Sequence, residues 1–566
     1  MPIRPRPIPW GAYSPDLSDI NTAYTSSILN VLPRADGYQP FYDFSALTDA
    51  LAADCRGFFF ARNAGQLTVF AGTSTKLYKL NNTTLAWDDA SQGSGTYAAL
   101  SSDAQWQFIQ FNDLVVAVQE NVAPQVFDTT SDTEFADLGG SPPQAAYVSV
   151  INRFLVLSGL LDNPYRIQWS GLNEVDNWTS GTNFSDFQDL PDGGVVRGVV
   201  GGEYGVIIQD LAMRRMIYSP GSDVVFQIDR ISKDTGVLAP YSIVNAGERV
   251  FFISPRGFVM TDASGQITPI GKERFDRTFL DEFDSSNLQL VIGASDPAAH
   301  LVYWSYKSAD GGQDGLFDKI ICYDWALDRW TPIKMTGQYL AQLASPGKTL
   351  EGLDYIAPGK LDITGAADNG GGLIRITVAS TSTLTDGGFY TLSDVGGVSN
   401  ANGTFEIDII SGTTFDLVGS TFSGSYTSGG IVGGSMDAMT ISFDNFAISD
   451  LPKIAIADSD NKLGFFSGDT LAATLETSEI TDIGFRTFVN GMIPLTDASS
   501  VSVSIAMRDN LNDTATYGEA SDLDPDGYCA VLDEGRYLRA KLSIPAGTVW
   551  TYTTGIVPDS RRVGML

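Results

Sequence analysis

Two similar stretches decide the fold: Phe111-Asn112-Asp113-Leu114-Val115-Val116 and Ile151-Asn152-Arg153-Phe154-Leu155-Val156. The first is followed by Pro124-Gln125-Val126-Phe127 and the second by Pro164-Tyr165-Arg166-Ile167, so that Asn112 corresponds to Asn152 and Pro124 to Pro164 at one constant offset. An apolar β run, a turn and a second run with alternating polarity predict a β-hairpin within a larger sheet.

Similar pairs of strand-like runs recur along the chain. They occupy residues 67–80, 206–228, 250–260, 302–323 and 454–471. In the first two-thirds of the chain the units follow each other at steps of about 40 to 52 residues, which is the spacing of four-stranded propeller blades. Helical repeats of this length would place apolar residues at i, i+3 and i+4, and these runs do not.

The repeats therefore predict an all-β fold built on a β-propeller of six to eight blades. A string of β-sandwiches is the alternative, because it also produces short strands at intervals of about 8–12 residues. The regular offset between the two units favours the propeller. If an early strand pairs with the late unit at 454–471, the ring closes and no sheet edge stays open.

The rest of the chain is divided by composition. Two helices are expected, at 45–54 behind a possible Ser45 cap and at 272–283, where Phe275, Phe279 and Phe283 form one stripe. The predicted domains are an N-terminal arm and helix (1–56), propeller blades (57–360), a small inserted β module (361–435), a late blade that closes the ring (436–480) and a C-terminal β lobe (481–566).

The chain has 566 residues and a formal net charge of −32, from 67 acidic and 35 basic side chains. Such a chain is repelled by bulk nucleic acid and by anionic membranes. Residues 1–15 lack the apolar core of a secretory signal, and no apolar stretch is long enough to span a membrane. Synthesis in a reducing cytoplasm agrees with three widely spaced cysteines, Cys55, Cys322 and Cys529.

Motifs for catalysis and cofactors are absent from the sequence. The single histidine, His300, leads directly into an apolar run and is interpreted as a residue at a strand edge rather than a base. Neither a phosphate-binding loop nor a nucleophile elbow stands in a convincing context, so no enzyme activity and no cofactor are predicted. Catalysis by a pair of carboxylates alone remains open, because an acidic chain contains many such pairs by chance.

One weak metal candidate remains. Asp522, Asp524 and Asp526, followed by Gly527, match the first half of a calcium loop. Position twelve of that loop is Asp533 instead of the usual Glu, and no flanking helices are evident, so a polar β turn is the favoured interpretation.

The chain ends supply the candidate contacts with other subunits. Four prolines within residues 1–9 favour an extended arm that straps onto its own chain or onto a neighbour. Arg4, Arg6 and Trp10 on this arm, with Arg561 and Arg562 at the other end, are candidates for contact with an adaptor or a second subunit.

Several long stretches resemble one family, the nozzle or packaged-DNA stabilisation proteins of short-tailed bacteriophages. These stretches are 11–41 (GAYSPDLSDINTAYTSSILNVLPRADGYQPF), 165–179, 225–284, 463–479 (LGFFSGDTLAATLETSE), 486–497 and 536–556. The resemblance extends over nearly everything outside 361–435. It rests on similarity along these long stretches rather than on a catalytic motif. The insert is similar to small β modules that are grafted into many phage structural proteins.

The resemblance implies a propeller-based subunit, six copies of which form the distal tube below the head-to-tail (neck) adaptor. Such a tube in the tail of the virion retains packaged DNA, guides its exit and offers docking sites for tail fibres or spikes. Six chains would carry a formal charge of −192, six times −32, and an acidic lumen would let DNA slide without sticking. Retention is expected at a constriction formed by one propeller or a distal loop.

Two other functions compete with this one. A receptor-binding or glycan-cleaving tail protein would use a pair of carboxylates in a propeller groove, at separations that the sequence does not supply. A generic cellular propeller scaffold is the third possibility, and the resemblance of both terminal regions to the nozzle group weighs against it.

Overall fold

The computed structural model describes residues 6–63, 65–222, 224–262, 265–344, 360–433, 452–481 and 485–565. Within these ranges the regular secondary structure is almost entirely β. The first strands are short and lie near the N-terminus: β1 (Ile8–Pro9), β2 (Ala12–Tyr13), β3 (Tyr24–Thr25), β4 (Ile28–Leu29), β5 (Val31–Arg34), β6 (Gly37–Pro40) and β7 (Tyr42–Ala46).

Four-stranded antiparallel sheets then follow one another along the chain. Sheet 1 contains β8 (Phe58–Asn63), β9 (Gln66–Gly72), β10 (Leu77–Leu80) and β11 (Trp87–Asp89). Sheet 2 contains β12 (Gln107–Phe111), β13 (Leu114–Gln119), β14 (Val122–Asp128) and β15 (Ala136–Asp137). Sheet 3 contains β16 (Ala145–Ile151), β17 (Phe154–Leu160), β18 (Arg166–Trp169) and β19 (Asp186–Asp189).

The next three sheets have the same order. Sheet 4 contains β20 (Val196–Val200), β21 (Tyr204–Gln209), β22 (Met213–Tyr218) and β23 (Phe226–Ser232). Sheet 5 contains β24 (Val244–Ala246), β25 (Arg249–Ser254), β26 (Gly257–Asp262) and β27 (Ile267–Pro269). Sheet 6 contains β28 (Gly293–Asp296), β29 (Leu301–Tyr306), β30 (Phe317–Asp324) and β31 (Arg329–Gly337).

The predicted repeats form corresponding parts of these sheets. Asn112 and Asn152 both take the left-handed backbone conformation, with φ of 53° and 54°, in the tight turns after β12 and β16. Asparagine tolerates this conformation better than most residues. The hairpins predicted from the constant offset are confirmed, and each predicted pair of runs contributes the two middle strands of one sheet.

Sheet 7 is assembled from both ends of the chain. Its strands are β32 (Tyr339–Leu343), β39 (Lys453–Ala457), β40 (Leu463–Thr470) and the N-terminal β7, in that order. Phe465 of β40 lies opposite Ser45, and Phe466 lies opposite Phe44. The expectation that an early strand pairs with the late unit is confirmed.

Neighbouring sheets pack face to face through apolar clusters. These join sheets 1 and 2 (Phe70, Phe127), 2 and 3 (Val116, Leu155), 3 and 4 (Phe154, Met216), 4 and 5 (Ile208, Phe252), 5 and 6 (Phe258, Trp304), and 6, 7 and 1 (Tyr303, Leu340, Val69). The last cluster joins the final sheets to the first, so the sheets form a closed, propeller-like arrangement.

The helix predicted at 45–54 is wrong. Residues 42–46 form β7, and the backbone N–H groups of Leu47 and Leu51 donate to Leu463 and Asn461 rather than to the preceding turn. Both side chains are buried in the core of sheets 6, 7 and 1. Tertiary pairing therefore overrides a helical pattern that so short a segment carries only weakly.

The helix predicted at 272–283 is present but shorter. Helix α1 spans Asp276–Glu282, and its Phe279 ring packs against Phe258 of sheet 5 at 4.9 Å between centroids. The remaining helical turns within the described ranges are of the 3-10 type, at Gln92–Ser94, Pro191–Gly193, Pro240–Ser242, Leu288–Leu290 and Ser399–Ala401.

The segment inserted within sheet 7 forms a closed six-stranded barrel. Its strands are β33 (Leu361–Asp368), β34 (Ile374–Val378), β35 (Phe389–Ser393), β36 (Gly403–Ser411), β37 (Thr414–Leu417) and β38 (Ile431–Val432). The barrel has its own apolar core, around Ile376, Leu392 and Phe415. Arg375 on its wall forms a two-pronged hydrogen-bonded pair with Asp416, at 2.7 and 2.9 Å.

A β-sandwich combines both chain ends. One sheet has the order β46 (Asp533–Gly535), β43 (Phe485–Thr496), β48 (Thr553–Met565), β6 and β5, with β1 also on β48. The other has the order β4, β41 (Ala473–Glu476), β47 (Tyr537–Ile544), β44 (Ser502–Arg508) and β45 (Ser521–Asp522), with β42 (Ile480–Thr481) also on β47.

The sandwich moves two of the predicted domain boundaries. Strand β41, placed by the sequence in the late blade, belongs to the sandwich, and so do the N-terminal strands β1, β4, β5 and β6. The lobe predicted at 481–566 is therefore completed by residues from the start of the chain. Its core is continuous with that of sheets 5 and 6, because Trp10, Leu542 and Trp304 belong to one apolar cluster.

Removal of the inserted barrel tests whether it is an independent unit. The chain enters and leaves the barrel at paired positions, since Leu361 lies opposite Val432. Replacement of residues 361–435 by a short Gly-Ser linker is therefore expected to lower the midpoint of thermal unfolding by no more than a few degrees. A deletion variant that is aggregated or unfolded by circular dichroism would contradict this.

A buried ion pair in the sandwich makes a second prediction. Arg508 donates to both oxygens of Glu479, at 2.6 and 2.5 Å, and the Glu479 side chain is only 2% exposed. Arg508→Met strands this carboxylate and is expected to lower the free energy of unfolding by about 3–5 kcal/mol. Urea denaturation measures this loss.

The matched control is Arg256→Met, because the side chains of Arg256 and its partner Asp234 are 74% and 68% exposed. Loss of such an exposed pair is expected to cost less than about 1 kcal/mol. Equal destabilisation by the two substitutions would show that the buried pair contributes nothing particular to stability.

Candidate functional site: the axial cavity and its entry chamber

The first strands of the four-stranded sheets surround one cavity. Residues from β8, β12, β16, β20, β24, β28 and β32 line it, and it has a volume of about 470 Å³. Much of the lining is apolar, with Phe58, Val148, Val199, Ile243 and Leu340 among the residues that contribute. We call this space the axial cavity, because every sheet of the ring contributes its innermost strand.

A second cavity of about 370 Å³ adjoins it at one end. We call it the entry chamber; it is lined by Asp103, Ala104, Gln105, Glu120, Ala146, Tyr147, Arg197, Asp210, Leu238, Pro240, Tyr241, Ser285, Ser286, Leu288 and Gln289. Tyr147, Arg197, Pro240 and Tyr241 line both spaces. These four residues therefore form the partition between the chamber and the axial cavity.

Hydrogen bonds hold the partition in place. Arg197 donates through Nε to Asp210 at 2.7 Å, and Asp210 also accepts from the backbone of Val195 at 2.9 Å. The backbone N–H of Gln105 donates to the Tyr241 hydroxyl at 2.9 Å. The Tyr147 and Tyr241 rings lie 6.2 Å apart between centroids. The partition is thus built from ordered, mutually supported side chains.

The two tyrosines remain protonated over the physiological range. Burial raises the pKa of Tyr147 to about 12, and the carboxylates of Glu120 and Asp103 add to this while Arg197 opposes it. Burial also raises the pKa of Tyr241 well above its usual range, with a smaller contribution from Glu120. Both hydroxyls are therefore hydrogen-bond donors rather than phenolates at neutral pH.

The loop that carries Asp103 and Gln105 is anchored from behind. Arg56 donates through Nε to Gln105 Oε1 at 3.1 Å, and through Nη2 to the carbonyls of Ser102 at 3.0 Å and Ala104 at 2.5 Å. Gln105 in turn donates to the carbonyl of Gln289 at 3.0 Å. One wall of the chamber is therefore preformed.

None of the sequence motifs predicts the entry chamber. Most of its residues precede the repeated hairpins, at the starts of β16 and β20 and in the loops before β12, β24 and β28, whereas Glu120 follows β13 and Asp210 follows β21. A signal was available, because the innermost strand of each sheet comes immediately before its repeated unit. The unit that starts at 151 points in this way to Tyr147 in the chamber, and the unit that starts at 111 points to Gln107 in the axial cavity.

The contact residues predicted at the chain ends differ in their exposure and do not form one site. Arg4 lies outside the described residues, and Arg6 is exposed. Trp10 is only 4% exposed in the core, and its indole N–H donates to Thr553 Oγ1 at 2.8 Å. Trp10 is therefore a structural residue of the sandwich, and the arm straps onto its own chain through β1 and β48.

The C-terminal arginines lie in the part of β48 that pairs with β43. Arg561 is exposed and stands over the Phe488 ring at 5.1 Å, and Arg562 stands over Phe485 at 4.3 Å. Both side chains are exposed on the surface.

The calcium candidate forms a turn. The Asp524 carboxylate accepts from the backbone N–H groups of Asp526 and Tyr528, both at 2.9 Å. Asp522 lies in β45 opposite Ser502. Across the described ranges, no group of three or more His, Cys, Asp or Glu side chains is placed to hold a metal ion.

His300 lies in the turn just before β29, as expected for a residue at a strand edge. Its φ is 59°, and its ring meets Trp325 edge-on at 5.5 Å. The three cysteines are buried, and burial raises the pKa of Cys55 to about 12. No helix in the described part of the chain has the length and apolar character needed to cross a membrane.

One buried carboxyl has a strongly shifted pKa. Burial raises the pKa of Asp276 to about 6, with a hydrogen bond from the backbone of Phe258 opposing this and Asp16 adding to it. The Asp276 side chain packs against Gly257 and Gly271, where an added Cβ would collide with its carboxyl. Asp16 accepts from the backbone of Arg277 and Thr278, at 2.8 and 3.0 Å.

Asp276 and Asp16 are two carboxyls at the junction of the N-terminal segment and α1. Both are buried and occupied by hydrogen bonds: Asp276 is 8% exposed, and the Asp16 side chain is 5% exposed. Their contacts join the N-terminal segment to α1, so their role in this structure is to fix that segment.

Comparisons with known proteins add little to this description. No family model and no curated protein matches the sequence. Among solved structures, the extracellular domain of the putative one component system BT4673 from B. thetaiotaomicron is similar over 59% of this chain, with 10% identity and a TM-score of 0.34. The chain spans 44% of that protein's length. U3-55K is similar over 66% of this chain and 98% of its own, with 8% identity and a TM-score of 0.34.

The raised pKa of Asp276 predicts a pH-dependent stability. The folded protein keeps a proton that the unfolded chain, with an Asp pKa of about 3.9, releases. The stability that this proton contributes is full below pH 4 and is lost as the pH rises through 6. Between pH 4 and pH 7.5 the free energy of unfolding of the wild type should therefore fall by about 2–3 kcal/mol more than that of Asp276→Asn, which has no carboxyl to titrate.

Urea denaturation across this pH range measures the difference. Asp281→Asn is the control, because Asp281 is an exposed carboxylate near the end of the same helix. The control should follow the wild-type profile. If Asp276→Asn also follows it, Asp276 does not titrate near pH 6.

Proposed function

We propose that this protein is a structural nozzle subunit of a short-tailed phage, assembled as a ring of six below the head-to-tail adaptor in the virion tail. The ring retains packaged DNA, guides its ejection and offers docking sites for fibres or spikes. We also infer that the seven four-stranded sheets are the seven blades of one propeller. The subunit acts by assembly and shape rather than by catalysis.

The observation that carries the proposal is the position of the sequence stretches that resemble nozzle proteins. Residues 11–41 contain β2 to β6, residues 463–479 contain β40 and β41, and residues 536–556 contain β47. These stretches are far apart in sequence, yet they build the sandwich and the sheet that closes the ring. Other such stretches, 165–179 and 225–284, lie in sheets 3 to 5 and in α1, so the resemblance extends over both the ring and the sandwich.

Charge supports the same function. The chain carries a formal net charge of −32, and several of its arginines and lysines are already paired with carboxylates, as at Arg166–Asp189 and Arg486–Asp509. Tight binding of duplex DNA requires several unpaired cations against its phosphates. A lumen lined by such subunits would repel the duplex, and DNA could pass without adhering.

The dimensions of the axial cavity indicate where the DNA path would lie. A sphere of 470 Å³ is about 10 Å across, less than the width of about 12 Å of a single major groove of B-DNA. The partition of Tyr147, Arg197, Pro240 and Tyr241 closes one end as well. The duplex would therefore run between subunits, and not through the axis of any propeller.

Native mass spectrometry of the purified protein, alone and with its adaptor, tests the assembly. The expected species is a hexamer, with six times the 60.7 kDa mass of one chain. A short duplex in a gel-shift assay at physiological salt should show no retardation. A protein that stays monomeric under both conditions, or that binds duplex tightly, would contradict the nozzle function.

A further variant tests the exposed arginines. Arg561→Glu/Arg562→Glu should weaken the contact with the adaptor or the neighbouring subunit by at least tenfold, because it reverses two charges on an exposed strand. Arg256→Glu/Arg249→Glu makes the same charge change on exposed residues of sheet 5 and is the control. Equal effects of the two double variants would exclude a specific role for the end of β48.

A further inference from the structure

The entry chamber has the properties of a ligand site that the proposed function does not use. Its volume of about 370 Å³ falls within the range of small-molecule pockets, about 300–1,000 Å³. Its walls come from five different sheets of the ring or the loops before them, and the Arg56 contacts hold one wall rigid. A preformed space of this kind binds without a large ordering cost.

The charge of the chamber selects against anions. Three carboxylates line it, those of Asp103, Glu120 and Asp210, against the single guanidinium of Arg197. Arg197 is already paired with Asp210 at 2.7 Å, and the Arg56 guanidinium lies behind the loop of Asp103. Glu120, which accepts from the Ser101 hydroxyl at 2.5 Å, is therefore the main source of negative charge. A cleft lined by one sign of charge concentrates counter-ions, and here the chain as a whole adds −32.

An acceptor in the chamber wall lacks a donor. Gln289 Oε1 is buried and has no hydrogen-bond partner among the described residues, although Gln289 Nε2 donates to Asn287 Oδ1 at 3.1 Å. A buried acceptor left unpaired costs free energy. A ligand that brings N–H donors would remove this cost.

Aromatic rings complete the chamber. Tyr147 and Tyr241 line it side by side, and Glu120 is close enough to both to raise the pKa of each hydroxyl beyond the effect of burial. A ring face next to a carboxylate is a favourable environment for an ammonium group. An ammonium also has three donors and no acceptor, which suits a wall rich in acceptors.

We propose that the entry chamber binds a small organic ammonium ion, of the size of a short aliphatic diamine. One ammonium group lies between Glu120 and the tyrosine rings and donates to the carboxylate. The second donor group reaches the orphan oxygen of Gln289 or the carboxylate of Asp103. This inference does not depend on the nozzle function, since it concerns the axis of a single chain.

Isothermal titration calorimetry with 1,4-diaminobutane at physiological salt tests the proposal on the full-length protein. Saturable binding of one diamine per chain is expected. Glu120→Gln, which keeps an acceptor for the Ser101 hydroxyl, should weaken it at least about tenfold, the loss of one charge-assisted hydrogen bond. Gln289→Met should also weaken it; because this change removes the Nε2 hydrogen bond to Asn287 as well, circular dichroism first shows that the variant is folded.

The matched control is Glu248→Gln, the same charge change at an exposed turn between β24 and β25, and its affinity should stay within twofold of the wild type. Non-saturable heats, or equal losses in Glu248→Gln and Glu120→Gln, would show general attraction of cations and overturn the proposal. Titrations with glucose and with acetate complete the experiment. Binding of either in place of the diamine would also overturn it.

Discussion

The pairing of β7 with β40 is the constraint on which the rest of the structure depends. It joins residues 42–46 to residues 463–470, and it converts a row of sheets into a closed ring. The junction is reinforced by a chain of side-chain contacts: Gln338 accepts from the backbone of Cys55 at 2.7 Å and donates to Asn461 at 2.6 Å. Without this closure, sheets 1 and 7 would each expose an apolar face to water.

Closure also explains why the sandwich exists where it does. Strands β4 to β6 come directly before β7, and β41 comes directly after β40, so ring closure brings both segments to the same place. There β4 pairs with β41, and the core shared with sheets 5 and 6 forms around Trp304 and Leu475. Asp16 then attaches the N-terminal segment to α1. The pairing of β7 with β40 thus places β4 next to β41, where they can pair in turn.

Features that depend on local sequence could be predicted, and features that depend on long-range pairing could not. The middle strands of each sheet carry strong apolar alternation, so the repeats at 111–116 and 151–156 predicted them correctly. The outermost strands carry little signal; β19, with the sequence DFQD, is almost fully exposed. The contribution of β4 to β6 to the C-terminal lobe could not be predicted, because it arises from pairing between distant parts of the chain, as between Ile28 and Leu475. For the entry chamber, the repeats indicate only strand positions such as Tyr147; that these meet the loops at 103–105 and 285–289 in one cavity follows from tertiary contacts.

Proline placement limits how this molecule can associate. Trp10 donates from its backbone to Thr554, and Ile8 lies opposite Ile556, so even-numbered residues of the arm face β48. Pro7 and Pro9 therefore occupy the positions whose N–H groups would face the outer edge of the arm. Because proline has no N–H, that edge lacks the donors that a further strand would need. Pro558 does the same for the next part of β48. With these prolines along its outer edge, this part of the sandwich offers few backbone donors for the addition of a further strand.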